Sequence, residues 1–211
     1  IAKIDGRLTA EYIETDLKDN ALYMYRLSAI TFNNVKSEYS KIIKARTKSL
    51  PANVKNIKAS KELPKKIELK WESLTNSDIV SYKIYKGIAG NNKLYKEIAL
   101  VSANSNMYTD IIKKDGKIEY YKITSIDKDN LESSKDIAPT MGSTLTKPNK
   151  PIITSALIQK NVAIINWQQG SDQRAVSYNV IKTTRKGYFA SKKIKIPNIT
   201  EEKYEDTNIV K

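Results

Sequence analysis

Two stretches of this sequence match one another at a fixed distance, "ELKWESLTNSDIVSYKIYKG" at 68–87 and "IINWQQGSDQRAVSYNVIKT" at 164–183. Trp71 lies 96 residues before Trp167, and Tyr82 lies 96 residues before Tyr178. Aromatic residues that recur in one register, with no insertion between the copies, are typical of an internal structural repeat. The chain therefore contains more than one copy of the same unit.

The same spacing extends to both ends of the chain. The stretches "EYIETD", "MYTD" and "KYED" place Tyr12, Tyr108 and Tyr204 at successive steps of 96 residues. The stretch "YRLSAITFNNVKS" at 25–37 matches "YKITSIDKDNLES" at 121–133 in this register. We interpret the chain as a tandem array with a period of 96 residues.

One period contains only short stretches with strand-like patterns, separated by the turn sequences "TNSD", "AGNN", "KKDG" and "DKDN". The predicted strands cover 51–60, 66–71, 81–87, 94–101, 106–110, 118–126 and 134–142. Apolar residues alternate along them, and we expect the aromatic core residues to be Trp71, Tyr82, Tyr121, Trp167, Tyr178 and Tyr23. About seven antiparallel strands in roughly 95 residues, without a helical period, favour a β-sandwich.

The stretch "LYMYRLSAI" at 22–30 shows the same alternation close to the beginning of the chain. Tyr23, Tyr25 and Leu27 occupy every second position, which predicts a strand with one face buried. It matches a late strand of the repeat, so we expect that part of a module precedes the complete one.

The order of these signals resembles the fibronectin type III module. A tryptophan on the second strand is followed by Tyr-x-Ile or Tyr-x-Val on the third, and then by Tyr-x-Asp before a tyrosine-rich strand. The stretch "YYKITSIDKDNLESS" at 120–134 looks like the F strand and F–G loop of bacterial members of that family. The resemblance implies an all-β fold class, with tandem fibronectin type III (immunoglobulin-like) β-sandwiches in a linear array.

The 96-residue register assigns three segments to the chain. Residues 1–50 correspond to strands E, F and G of one module, 51–146 to a complete module, and 147–211 to strands A, B, C, C′ and E of a third. The chain is therefore expected to be a fragment. Either flanking polypeptide completes the partial modules, or the partial modules of two copies complete one another by domain swapping or strand complementation.

Composition excludes several kinds of catalytic site. The chain has no Cys and no His, so disulfides, Ser-His-Asp triads and Cys-based nucleophiles are excluded, as are almost all structural zinc sites. The acidic pairs Asp127 with Asp129 and Glu201 with Glu202 lie in predicted turns or beside strand starts, and "KDNLE" lacks the spacing of a calcium loop. We expect a non-enzymatic protein with no cofactor.

The net charge is +14, and 12 of the cations against 5 anions lie in residues 147–211. A possible patch for an anionic ligand, such as a sulfated glycan, comprises Lys182, Arg185, Lys186, Lys192, Lys193 and Lys195, around Tyr188 and Phe189. The alternative is a lysine-rich edge that discourages strand pairing. Nucleic acid is not expected, because only five cations are arginine. Four tyrosines are not explained by the repeat and could serve a protein interface, namely Tyr39, Tyr85, Tyr95 and Tyr188.

The chain also resembles the fibronectin-like lipoprotein adhesins of Campylobacter and its relatives. That resemblance implies attachment to host extracellular matrix, with fibronectin as the suspected partner, from a lipid anchor in the bacterial outer membrane. A second hypothesis is a spacer or accessory module of a secreted polysaccharide-degrading enzyme. A third is a cytosolic or receptor scaffold, against which the bacterial appearance of the F–G segment argues.

Overall fold

A computed structural model of the protein describes residues 2–4, 11–90, 94–186 and 190–209. These residues form fourteen β-strands, and none of them lies in an α-helix. They divide into two compact units, Ile1–Thr144 and Leu145–Lys211, each of which is described by itself. The division into three module segments stays a prediction.

The larger unit contains a complete two-sheet sandwich. Its strands are β3 (Lys58–Ala59), β4 (Lys66–Lys70), β5 (Ile79–Gly87), β6 (Lys96–Ser102), β7 (Met107–Ile111), β8 (Ile118–Asp127) and β9 (Thr140–Ser143). One sheet has the order β3-β4-β7 and the other the order β6-β5-β8-β9, with antiparallel pairing throughout. In fibronectin type III terms these are strands A-B-E and C′-C-F-G. The predicted all-β sandwich fold is therefore confirmed.

The core lies between these two sheets. Alternate residues of β4, β5 and β8 point inward and form one cluster with Val54, Ile67, Leu69, Trp71, Ile79, Tyr82, Ile84, Ile112, Tyr121 and Ile123. The ring of Trp71 meets that of Tyr82 edge to face at 5.4 Å. The first strand is shorter than the predicted 51–60, because the positive φ of Asn56 (54°) interrupts the extended backbone before Lys58.

Residues before this sandwich form a two-stranded ribbon of β1 (Leu22–Tyr25) and β2 (Ile43–Arg46). The prediction for 22–30 is only half correct, since residues 26–29 belong to no strand and Leu27 is 66% exposed. In the complete sandwich the corresponding half of β8 pairs with β5. The ribbon has no strand equivalent to β5 among the described residues. The backbone groups of Leu27 and Ala29 bond to Ser40 and Ser37 on the other side.

The smaller unit contains five strands, β10 (Ile152–Gln159), β11 (Val162–Gln168), β12 (Tyr178–Lys186), β13 (Ala190–Ile199) and β14 (Lys203–Asp206). They form a sheet of order β10-β11-β14 and a separate hairpin of β12 and β13. Among the described residues of this unit, the buried hydrophobic side chains are Trp167 and Tyr178. This unit therefore covers far less apolar surface than the sandwich does.

Local geometry repeats at the spacing of 96 residues. The ring of Trp167 meets that of Tyr178 edge to face at 5.2 Å, as Trp71 meets Tyr82 in the sandwich. The turn after β8 recurs after β1, where Asn34 (φ 60°) matches Asn130 (φ 63°). The isolated bridge between Ile30 and Lys36 likewise recurs between Ile126 and Glu132. Equivalent residues thus adopt equivalent structure.

Candidate functional site

The predicted cationic patch lies on the hairpin of β12 and β13. Thr183 is opposite Lys193 and Ile181 is opposite Lys195 across the hairpin. Residues directly opposite one another on the two strands have side chains on the same face, and successive residues along a strand have side chains on alternate faces. The patch is therefore divided between the two faces of the hairpin. The side chain of Lys186, together with Tyr188 and Phe189, lies outside the described residues.

Lys182 and Lys192 lie on the inward face, which also carries Tyr178. The ammonium of Lys182 is 2.6 Å from the carboxylate of Asp206 on β14, and it donates to the carbonyl of Asn208 at 2.6 Å. This ion pair holds the pKa of Asp206 below its usual value. Lys182 therefore ties the hairpin to the neighbouring sheet, which is a structural role that the sequence pattern did not predict.

Arg185, Lys193 and Lys195 lie on the outward face, which we call the basic face. All three side chains are exposed, and no ion pair joins any of them to a described carboxylate. The structure therefore brings together three of the six predicted residues. A ligand for them stays a prediction.

Sequence reasoning missed a second cluster, where the segment after β2 reaches the sandwich. The ammonium of Lys48 lies 2.8 Å from Asp78, 2.7 Å from Asp127 and 2.5 Å from Asp129. We call these four residues the joint cluster. Asp78 precedes β5, Asp127 is the last residue of β8, and Asp129 lies in the turn that follows, so one lysine joins the start of β5 to the end of β8.

The joint cluster borders a cavity of about 310 Å³ that is also lined by Pro51, Ala52 and Ile79. The side chain of Asp127 is 3% exposed and also accepts the backbone N–H groups of Asp129 and Leu131. Lys48 is the largest cause that holds the pKa of Asp127 below its usual value, and the carboxylates in turn raise the pKa of Lys48. Asp127 and Lys48 are therefore both ionised at neutral pH.

The three carboxylates of the joint cluster lie close enough together to hold a metal ion. The ammonium of Lys48 already supplies a positive charge at the point where they converge. Because the ammonium of Lys48 occupies this point and pairs with all three carboxylates, we interpret the cluster as a structural joint between the preceding segment and the sandwich.

Replacing Lys48 with Gln is expected to raise the pKa of Asp127 towards its ordinary value, because the largest cause of its low value is removed. A carboxylate with a depressed pKa stabilises the folded state above its unfolded pKa and loses that contribution as pH falls. The variant should therefore lose less stability than the parent between about pH 5 and pH 2. Carboxyl carbon NMR titration measures the change directly.

Lys128→Gln is the matched control for this titration. Lys128 pairs with Asp78 at 2.7 Å, and it is not among the causes that lower the pKa of Asp127. The control should leave the titration of Asp127 unchanged. Equal shifts in the two variants would contradict the assignment of Lys48 as the joint residue.

A third candidate covers the outer face of the four-stranded sheet. The carboxylate of Glu132 accepts the hydroxyls of Tyr85 at 2.6 Å and Thr124 at 2.8 Å. The ammonium of Lys122 donates to the carbonyl of Lys135 at 2.9 Å. Burial and this carboxylate both raise the pKa of Tyr85. Of the tyrosines assigned to an interface, Tyr85 is therefore held within the module.

The other unassigned tyrosines differ in their surroundings. Tyr95 borders a cavity of about 250 Å³ beside Tyr85, and its ring lies 5.0 Å from the ammonium of Lys122. Tyr39 is exposed and stacks with the guanidinium of Arg26 at 4.0 Å. Among the described tyrosines of this set, Tyr39 is thus the one with the most accessible side chain.

A tyrosine near the start of β1 makes a hydrogen bond to the preceding turn. The hydroxyl of Tyr23 accepts the backbone N–H of Lys18 at 2.8 Å, which fixes the turn that enters the strand. Tyr23 is half-buried, whereas the five other predicted aromatic core residues are buried.

No helix among the described residues is long and apolar enough to cross a membrane.

No family model matches the chain. A curated relative is an exo β-1,2-glucooligosaccharide sophorohydrolase of Parabacteroides distasonis, which is 31% identical over 86 residues. The match covers 37% of this chain and 12% of that enzyme. The chain therefore corresponds to a small part of the relative's length.

Solved structures similar to the chain include a segment of two fibronectin type III domains from chicken tenascin, at 14% identity and a TM-score of 0.38. That match covers 75% of this chain and 85% of the tenascin segment. A β-1,2-glucanase from Parabacteroides distasonis is 28% identical, with a TM-score of 0.36 and coverage of 56% of this chain and 17% of the enzyme. The assignment of the fold rests on the strand order of the sandwich.

Proposed function

We propose that the chain is a non-catalytic spacer and interaction segment within a larger polysaccharide-degrading protein. A fibronectin type III fold is an interaction or spacer module, and the composition lacks His and Cys. The observation that supports the finer proposal is the 86-residue match, which covers only 12% of the sophorohydrolase. Such a short match suits an accessory module.

The test measures hydrolysis by the 211-residue chain. Incubation with β-1,2-glucooligosaccharides is expected to release no sophorose above the level of the heat-denatured chain. Chromatography of the products measures this release. Release that depends on the folded chain would contradict the proposal.

A second candidate is adhesion to host matrix, as in the fibronectin-like lipoprotein adhesins of the bacterial surface. The basic face supports it, because three exposed cations on one face of the hairpin suit a sulfated glycan or an acidic protein. Fibronectin is the proposed protein partner, and attachment to the outer membrane would lie in another part of the protein.

Reversing the charge of Arg185, Lys193 and Lys195 to Glu is expected to weaken heparin and fibronectin binding about tenfold. Three exposed ionic contacts contribute about 0.5 kcal/mol each, which sums to roughly one power of ten. Surface plasmon resonance on the immobilised ligands measures the change.

The control carries the same charge reversal at Lys58, Lys113 and Lys114, which are exposed in the larger unit. It should keep at least half of the parent affinity. If both triple variants bind equally, or the parent shows no saturable binding, adhesion through the basic face is wrong.

A further inference from the structure

The two linkers of the array share the pattern Thr-x-x-x-Pro, as "TKSLP" at 47–51 and "TLTKP" at 144–148. Thr47 closes the end of the ribbon. Its hydroxyl donates to the carbonyl of Lys18 at 2.6 Å and accepts the backbone N–H of Ala21 at 2.8 Å, beside the turn that precedes β1. The first residue of the first linker is therefore bonded to the ribbon.

Thr144 makes the same contacts at the end of the sandwich. Its hydroxyl donates to the carbonyl of Lys114 at 2.9 Å and accepts the backbone N–H of Lys117 at 2.8 Å. These partners lie 96 residues after the partners of Thr47, so the two threonines are equivalent. The residue that follows each threonine is therefore compared between the two linkers.

Lys48, which follows the first threonine, is bonded on both sides of the first linker. Its backbone carbonyl accepts the N–H of Asn20 at 3.1 Å, in the turn that precedes β1. Its ammonium lies 2.8 Å from Asp78 and 2.7 Å from Asp127, in the sandwich. Because both contacts belong to one residue, the ribbon is tied to the sandwich without an intervening stretch of chain.

The sandwich holds these carboxylates and the end of the linker in place. Asp127 is 3% exposed and accepts two backbone N–H groups of the turn after β8. Asp78 also pairs with Lys128 at 2.7 Å, and the hydroxyl of Ser125 on β8 donates to the carbonyl of Ala52 at 2.7 Å. Salt screens an ion pair with a buried partner much less than an exposed pair, so the joint cluster is a firm anchor.

The second linker replaces both partners of this ion pair. Leu145 follows the threonine there, and Arg174 lies 96 residues after Asp78. Within the smaller unit the guanidinium of Arg174 donates to the carbonyls of Thr146 at 3.2 Å and Lys147 at 3.0 Å. The change at both positions indicates that the fold of a module does not require the ion pair, which is a property of the first linker.

We infer that Lys48 fixes the orientation of the ribbon relative to the sandwich and thereby stiffens the array at the first linker. The inference rests on the proposed spacer function and extends it, because a spacer keeps two parts of a protein at a set distance only if its joints resist bending. The residues that carry it lie between Lys18 and Asp129, so it does not depend on how either end of the chain continues.

Distances between spin labels test this inference, because the chain contains no Cys and each introduced Cys is unique. Lys44→Cys on β2 and Lys96→Cys on β6 place the labels at exposed positions of the ribbon and the sandwich. Double electron–electron resonance, with the labelled chain diluted in unlabelled parent chain, is expected to give one narrow distance distribution. A broad distribution in this parent would overturn the inference.

Lys48→Gln removes the ion pairs and leaves residues 48–51 free to move. The width of the distance distribution should rise by at least about 5 Å, because a flexible segment of four residues has a root-mean-square end-to-end distance of about 11 Å and Pro51 restricts part of that freedom. An unchanged width would overturn the inference.

Lys128→Gln is the matched control, because Lys128 pairs with Asp78 from within the sandwich. It should leave the distribution narrow. Chemical denaturation with Trp71 as reporter, in a Trp167→Phe background, checks that the sandwich stays folded in both variants. Equal broadening in the two variants would show a general effect of lost charge and would overturn the role of Lys48.

The distance measurement and the test of the proposed function fail separately. Release of sophorose by the folded chain would contradict the non-catalytic role, whatever the distances between the labels. A broad distribution in the parent, without release of sophorose, would overturn the stiff joint alone.

Discussion

Replacing Asp110 with Ala is expected to lower the free energy of unfolding of the sandwich by about 3 kcal/mol. The carboxylate lies on β7, in the three-stranded sheet, and contacts Lys86 on β5 and Tyr121 on β8, in the four-stranded sheet. It therefore joins the two layers across the core. Removal of the carboxylate leaves the ammonium of Lys86 and the buried hydroxyl of Tyr121 without an acceptor. The cost includes the desolvation of these unpaired groups as well as the lost hydrogen bonds.

The expected loss lies at the lower end of the range for buried pairs because the side chain of Lys86 is 30% exposed and water can reach it. Asp110→Asn should lose less, about 1–1.5 kcal/mol, since the amide oxygen still accepts the hydroxyl of Tyr121. This ordering distinguishes the loss of charge from the loss of the hydrogen bond.

Chemical denaturation followed by tryptophan fluorescence measures these differences. A Trp167→Phe background leaves Trp71, in the sandwich, as the reporter. Glu14→Ala is the matched control, because Glu14 occupies the equivalent position and accepts the hydroxyl of Tyr25 in an exposed setting. The control should change the unfolding of the sandwich by less than about 0.5 kcal/mol. Equal losses at the two positions would contradict the role of Asp110.

The positions of the strands and their inward faces could be predicted from sequence because they depend on local patterns. Alternation around Trp71 and Tyr82 fixes which face of each strand is inward, and the 96-residue repeat supplies the same pattern twice. Turn residues such as Asn130, with its positive φ, mark the ends of strands. Each of these signals is contained within a few consecutive residues of the sequence.

The contacts of the charged residues could not be predicted in the same way. Lys48 meets Asp78 and Asp127, which are 30 and 79 residues further along the chain, and no spacing rule relates them. The role of Lys182 likewise depends on Asp206, on a different strand. From its sequence neighbours alone, each lysine is predicted to be an exposed surface charge. Its carboxylate partner is brought near only by the tertiary fold.

The exposure of Leu27 has a different origin. Alternation predicts that Leu27 faces inward, but burial requires a neighbouring strand as well. In the sandwich β5 provides that neighbour for Ile123, and the ribbon has no equivalent among the described residues. Sequence periodicity therefore predicts which side chains can form a core, and the presence of partner strands decides whether they do.

Replacing Ile123 with Ala is expected to cost about 2–5 kcal/mol of sandwich stability. Its side chain is fully buried within the core cluster, and the cavity that remains cannot collapse because both sheets are held by their ladders. The same denaturation experiment, with Trp71 as reporter, measures the loss.

Leu27→Ala provides the comparison at the equivalent position, 96 residues earlier. Leu27 is 66% exposed and lies outside the core cluster, so the unfolding of the sandwich should change by less than about 0.5 kcal/mol. Measurement below about 1 μM keeps any association between copies from contributing. The two positions carry similar side chains in the same register of the repeat and differ in whether a partner strand covers them. A loss at Leu27 as large as that at Ile123 would show that the ribbon is packed into a core and would contradict the exposure of Leu27.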